Sequence, residues 1–160
     1  MMRVGQGFDV HRLVDGRKLI LGGVEVPYHL GLEGHSDADV LIHALCDALL
    51  GAAGLGDIGQ HFPDTESVHQ GRDSREFLEL VMMKLHGLGW NLGNADMTVI
   101  AQAPKLSPLI AAMRHSLACV IGVDESQLNI KATTTEKLGF TGRGEGIAAQ
   151  AVVLLVKRGL

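Results

Sequence analysis

Hydrophobic and polar positions alternate along the chain in two periods, and the switches between them mark the elements. Residues 3 to 11 read as a first strand, loosened by Gly5 and Gly7. Lys18 to Leu21 and Val24 to Val26, joined by Gly22-Gly23, have the pattern of a hairpin with a two-glycine turn. From about Ala38 to Ala52 the period becomes helical: Leu41, Leu45, Ala48, Leu49 and Ala52 recur on one side, and Asp39, His43 and Asp47 on another. Ser36 or Asp37 is the expected N-cap, with Asp39 completing a capping-box pattern. A second helix, about Ser74 to His86, places Phe77, Leu78, Val81, Met82 and Leu85 on a core stripe with no chemistry assigned to it, and stops at Gly87 and Gly89. Asp96 to Ala101 is a strand. A third helix follows, capped by Ser107 with Pro108 at its first position, burying Leu109, Ile110, Met113, Leu117, Val120 and Ile121 and ending at Gly122. Leu128 to Ala132 forms another strand, and Ile147 to Val156 a closing one whose apolar density implies burial on both faces. Strands alternating with three helices predict an α/β (α+β) sandwich, one mixed β-sheet with helices packed on one face. Its other face is expected to meet copies of itself in a symmetric oligomer.

Composition narrows the function more than the fold. At 160 residues the chain fits one domain, residues 1 to 160, with a core of useful size. Lys and Arg number 14 against 18 Asp and Glu, with the signs interspersed, so no basic stripe points to nucleic acid or to an anionic membrane surface. A phosphate-bearing ligand would therefore be held by a local site. Cys46 and Cys119 fall within apolar helical patterns and are expected as buried free thiols, which fits the cytoplasm. No apolar leader opens the sequence, and no apolar run reaches membrane-spanning length.

The candidate chemistry begins at Asp9-Val10-His11. On a strand, residues i and i+2 project to the same side, as two ligands of one metal must, and His43 at the start of the first helix can supply a third. One carboxylate and two imidazoles suit zinc and leave a coordination position open. The same spacing also accommodates ordinary polar residues after a strand and a helix-face histidine. Asp39 or Asp47 could orient the His43 imidazole, and a solvated acidic face explains them equally well. The glycine-rich Gly51 to Phe62 stretch, running on through Pro63-Asp64-Thr65-Glu66, has the character either of a mobile substrate loop or of a surface connection. Thr133-Thr134-Thr135-Glu136 offers three hydroxyls that can donate to phosphate and a carboxylate for a hard cation, although threonines are also good strand formers.

Six segments, in order, carry a resemblance. They are Gly7-Phe8-Asp9-Val10-His11; Gly34-His35-Ser36-Asp37-Ala38-Asp39-Val40 with His43; Asp57-Ile58-Gly59 through Phe62-Pro63-Asp64-Thr65; Ala101-Gln102-Ala103-Pro104-Lys105; Thr133 to Glu136; and Gly139-Phe140-Thr141-Gly142-Arg143-Gly144-Glu145-Gly146. Together they resemble the 2-C-methyl-D-erythritol 2,4-cyclodiphosphate synthase family over essentially the whole chain. The resemblance implies a homotrimer with active sites between subunits, in which a cytidine diphosphate substrate cyclises and expels CMP. It implies zinc on Asp9, His11 and His43, and a second cation, Mg2+ or Mn2+, on Glu136. His35 and Thr134 match positions that stabilise the transition state. Ser36, Asp57, Ile58, Gly59 and Phe62, Pro63, Asp64, Thr65 and Glu66 match the methylerythritol phosphate side. Ala101, Gln102, Ala103, Pro104, Lys105, Leu106, Ser107 and Thr133, with Thr135 beside them, match the cytidine side. Arg143, with Phe8, Phe140 and Glu145, matches a cavity on the three-fold axis that in this family can hold an isoprenoid diphosphate; a structural Arg143–Glu145 pair is the alternative. A metal-dependent hydrolase and a trimeric prenyl diphosphate binder with a structural zinc are the rival readings from other classes.

Overall fold

The computed structural model describes residues 1–65 and 67–159. In chain order the elements are β1 (Met2–Val14), β2 (Leu19–Leu21), β3 (Val24–Val26), β4 (Gly31–Leu32), α1 (Val40–Ala53), α2 (Ile58–His61), α3 (Ser74–Gly87), β5 (Trp90–Ile100), α4 (Ile110–Ile121), β6 (Leu128–Thr133), α5 (Gly139–Gly142) and β7 (Gly146–Lys157). The five-stranded sheet runs β4-β1-β7-β5-β6 and is mixed: β5 and β6 are parallel, every other pairing is antiparallel. The β2–β3 pair stands apart as a hairpin. Gly22 and Gly23 both adopt positive φ there, as a two-residue turn matching the strand twist requires.

Helices cover one face of the sheet. Leu41, Leu45 and Leu49 of α1, Leu78 and Leu85 of α3, and Met113 and Leu117 of α4 are buried with Met97, Val99, Val153 and Leu155 of the strands. Gly5 and Gly7 do not loosen β1; they let α1 lie directly on it. A Cβ on Gly5 would fall 1.9 Å from the Ala48 carbonyl oxygen, and one on Gly7 would fall 1.9 Å from that of Ala44. The opposite face carries Val4, Phe8, Val10 and Val152, all exposed. The expectation that β7 is buried on both faces is corrected accordingly: from Gln150 onward buried and exposed or half-buried positions alternate. The trailing positions read as core because this second face is itself apolar.

Three helix details differ from expectation. Asp39, not Ser36 or Asp37, caps α1, accepting from Ile42 N–H. It is fully buried, because it also accepts from Gly22 N–H at 3.0 Å and Gly23 N–H at 2.7 Å, tying the hairpin turn to the helix start. Burial and the Asp37 charge push its carboxyl up to about 6, against the pull of these backbone donors. Before α4, Ser107 and Pro108 form a 3-10 turn, Ser107–Leu109, and no side chain caps the helix. Cys46 is buried as expected, whereas Cys119 is exposed on the outer side of α4, where its sulfur meets His115 one turn earlier.

Candidate metal centre and substrate clefts

The approach of α1 to β1 sets His43 against the Asp9–His11 pair. Asp9 Oδ2 lies 2.9 Å from His11 Nε2 and 3.2 Å from His43 Nδ1, and the two nitrogens are 3.2 Å apart. Among the described residues this is the one group of three His, Cys, Asp or Glu side chains whose ligand atoms converge within 4.8 Å.

The tautomers follow from the partners. His11 Nδ1 is 2.7 Å from the Glu33 carbonyl, which can only accept, so Nδ1 carries a proton and Nε2 presents a lone pair. His43 Nε2 lies 2.9 Å from Ser74 Oγ, and Ser74 Oγ donates its own proton to Asp37 Oδ1. Nε2 of His43 must therefore donate, leaving the Nδ1 lone pair directed at Asp9. Asp9 Oδ2 is buried and meets no donor of good geometry although both rings touch it. Three electron-pair atoms with no proton among them fit a divalent cation.

Electrostatics agree with that arrangement. Burial alone would raise the Asp9 carboxyl, but the closeness of the His11 and His43 rings outweighs it and holds it at about 2. Burial opposes protonation of His11, yet the hydrogen bond and charge of Asp9 and the Glu33 carbonyl raise its pKa above the ordinary 6.5.

A cleft of about 300 Å³ opens beside His43, lined by His35, Ser36, Ile58, Gly59, Phe62, Pro63 and Asp64 together with His69 and Phe77. Arg17 holds the rim, donating to the Gly34 and Ser36 carbonyls at 2.8 and 2.6 Å. The glycine-rich connection is tied down at two points: Asp47 Oδ1 accepts from Ile58 N–H at 2.7 Å, and Asp57 caps α2 by accepting from Gln60 N–H at 2.9 Å. Asp47 thus serves the loop, as Asp39 serves the hairpin turn, and neither is bonded to the His43 ring. Thr65 is exposed beside the cleft, and Glu66 lies outside the described residues. Sequence patterning missed His69 and Phe77. Phe77 sat on a core stripe, but its ring stacks on Phe62 at 4.7 Å and meets His69 at 5.5 Å, forming the cleft's aromatic wall.

A second cleft, of about 460 Å³, gathers Ala101, Gln102, Pro104, Lys105, Leu106, Ser107, Ala132, Thr133 and Thr134. Ala103 belongs to the same loop without lining it. Of the three threonine hydroxyls, only one keeps its proton for a ligand. Thr133 donates to the Thr134 carbonyl and Thr135 to the Leu138 carbonyl; Thr134 Oγ1 accepts from Glu136 N–H. Glu136 does not join the Asp9 group within this chain. Asp9 pairs with Ala149, Ala149 with Val99, and Val99 with Ala132, so Asp9 and Ala132, which lines the second cleft, sit at one level three strand spacings apart, about 14 Å. Arg143 and Glu145 pair at 3.2 Å through both guanidinium and carboxylate branches, while Phe140 and Glu145 line a third depression of about 290 Å³ with Val10, His11 and Arg12.

A carboxylate–imidazole–imidazole group at the mouth of a cleft, on a helix-backed mixed sheet, defines a metal-dependent enzyme. The chain belongs to the YgbB family, whose model matches residues 2–156. It is 62% identical over 154 residues, 96% of either chain, to the 2-C-methyl-D-erythritol 2,4-cyclodiphosphate synthase of Thiobacillus denitrificans. To the synthase of the same name from Geobacillus kaustophilus it is 62% identical, covering 98% of this chain and 99% of the relative. Its fold matches the CDP complex of IspF from Plasmodium falciparum with a TM-score of 0.88 and 35% identity, over 99% of this chain and 97% of that one.

Proposed function

We propose that the chain acts, as one domain, as a cyclodiphosphate synthase of isoprenoid biosynthesis. It closes 4-diphosphocytidyl-2-C-methyl-D-erythritol 2-phosphate to 2-C-methyl-D-erythritol 2,4-cyclodiphosphate and releases CMP. An oxygen of the 2-phosphate forms the new bond to the β-phosphorus, and the bond from that phosphorus to the α-phosphate oxygen breaks, its electron pair leaving with CMP. The nucleophile is part of the substrate, so the protein needs to place the two phosphates and neutralise charge rather than supply a serine or cysteine.

The observation that carries the reading is the convergence of Asp9 Oδ2, His11 Nε2 and His43 Nδ1 within 3.2 Å at a cleft that can take a small polyol phosphate. Those three residues would hold zinc, and Glu136 a magnesium or manganese ion. When bound, such cations supply Lewis-acid polarisation of phosphate oxygens. Thr134, with its uncommitted hydroxyl proton, donates to a phosphate oxygen as charge shifts, and His35 does so from the other cleft. Ser36, Asp57 and the Phe62 to Thr65 segment surround the methylerythritol phosphate. Lys105 and its loop take the cytidine arm; that the Plasmodium falciparum relative forms a CDP complex supports a cytidine diphosphate ligand.

The separation of about 14 Å between Asp9 and Ala132 of the second cleft is too great for one diphosphate to touch both within a chain. That supports a site shared between subunits, and the exposed apolar sheet face supports their assembly, as a homotrimer, around it. Phe8, Phe140, Arg143 and Glu145 would then surround the axis, where an isoprenoid diphosphate can bind. We place the enzyme in the cytoplasm; both cysteines are free, and among the described residues no helix is long and apolar enough to cross a membrane.

Incubating the purified protein with the cytidylylated substrate tests the assignment. CMP together with a cyclic diphosphate is expected. A linear product would mark a hydrolase, and tight binding without turnover a carrier.

A further inference from the structure

Behind His43, on the side away from Asp9 and His11, runs a second line of contacts that joins three segments distant in sequence. Ser74, the first residue of α3, is fully buried. Its Oγ is 2.9 Å from His43 Nε2 and donates to Asp37 Oδ1. Asp37 is itself fixed by backbone donors. Its Oδ2 accepts from Ser74 N–H at 3.1 Å and its Oδ1 from Asp39 N–H at 3.1 Å, while its own N–H donates to the Arg72 carbonyl at 3.0 Å.

We propose that Asp37 and Ser74 are positioning residues of the metal centre: a carboxylate–hydroxyl–imidazole relay that holds the His43 ring in one tautomer and one orientation, with Nδ1 toward the ion. The inference rests on the metal reading of Asp9, His11 and His43. A metal-bound histidine commonly donates its distal N–H to a carboxylate or carbonyl, which fixes the ring and strengthens the ligating nitrogen. Here the carboxylate acts through one interposed hydroxyl. A hydroxyl has a single proton, and that of Ser74 is committed to an acceptor-only carboxylate, so the serine can meet Nε2 only as an acceptor. Ser36 Oγ also lies near Nε2, at 3.3 Å, and receives Ala38 N–H at 3.2 Å. It is the longer and weaker contact, and its proton has no carboxylate to go to, so it leaves the tautomer undecided where Ser74 decides it.

The relay also explains a placement that strand and helix periodicity leave open. His43 is delivered by α1 and the other two ligands by β1. Ser74 ties α3 to the same ring, so three elements must agree before Nδ1 reaches the ion.

The test is zinc affinity, read by competition with a chelating chromophore in the otherwise intact protein. Ser74→Ala is expected to weaken zinc binding by about 10- to 100-fold, the range typical of such supporting partners. Asp37→Asn, which keeps an acceptor oxygen but loses the charge, is expected to weaken it less. Long-range 1H–15N spectra of the zinc-loaded wild type should show His43 protonated at Nε2, and that proton should exchange faster in Ser74→Ala. Should Ser74→Ala fail to fold, Asp37→Asn and the wild-type spectrum still decide the matter. A folded Ser74→Ala that binds zinc as the wild type does, with only its unfolding temperature lowered, would overturn the relay, as would a His43 ring protonated at Nδ1. A wild type that takes up no zinc would overturn the metal reading and the relay together, so the two failures differ in which protein shows them.

Discussion

Three electron-pair atoms packed within 3.2 Å of one another need a cation between them, and what serves as that cation depends on pH. In the metal-free protein the raised pKa of His11 means its proton contributes stability fully below the ordinary value of 6.5, and this is lost as pH rises through the raised value. The lowered pKa of Asp9 acts in the other direction: its contribution is present above 3.8 and lost as pH falls through about 2. Chelation should therefore lower the unfolding temperature more at pH 8 than at pH 6, measured by thermal melts with and without chelator. Equal losses at the two pH values would contradict the arrangement. Lys105 belongs to the other cleft. Lys105→Ala should raise KM several-fold while kcat changes less, because a group holding a remote arm of the substrate contributes binding common to ground and transition states; an unchanged KM in steady-state assays would remove it from the cytidine side. Strand and helix periods allowed Asp9, His11 and His43 to share one ion but fitted ordinary polar residues as well, and the family resemblance is what singled them out. The line from Asp37 through Ser74 to His43 was not legible, since it joins loops and helix ends that no local period relates, and the burial of Asp39 was not legible either, because nothing near it in sequence announces the Gly22-Gly23 turn it packs against.

At the level of elements, the contact between α1 and β1 governs the centre. With the Ala44 carbonyl 1.9 Å from where a Cβ would stand, Gly7→Ala must push the helix outward. Overpacking of this kind costs about 1–3 kcal/mol, occasionally more. Because His43 precedes Ala44, the shift should also weaken zinc binding beyond what a distant core substitution of equal cost does, as measured by urea unfolding beside chelator competition. The hairpin, the three long helices and the β1, β5, β6 and β7 strands were foreseeable from their patterns, while the short β4, α2 and α5 were not and β5 begins earlier than its pattern indicates. The role of Gly5 and Gly7 was misread, since a glycine in a strand looks the same whether it frees the backbone or admits a helix. The aromatic wall of Phe62, His69 and Phe77 was missed for a similar reason: a helix stripe specifies burial, not whether it is core or cleft that does the burying.

On the proposed reading, the whole molecule divides its chemistry between the β1 and β6 sides of one sheet. A His43→Ala chain lacks the metal side and a Thr134→Ala chain the phosphate-donor side, and each alone should lose activity on the order of 100-fold or more. Mixed by co-expression, the two should recover about a quarter of the wild-type sites, since random pairing around a ring gives each shared site one chance in four of receiving both intact halves. Recovery no greater than the sum of the parents would place the whole site in one chain. The apolar outer face of β1 and β7 hinted at assembly in the sequence, but which edge meets which is a property of surfaces and left no mark in the periodicity. One consequence concerns concentration. If every turnover requires a neighbour, specific activity is not a constant of the polypeptide but rises with the amount present, and simple dilution in the assay tube would act as an inhibitor with no binding site of its own.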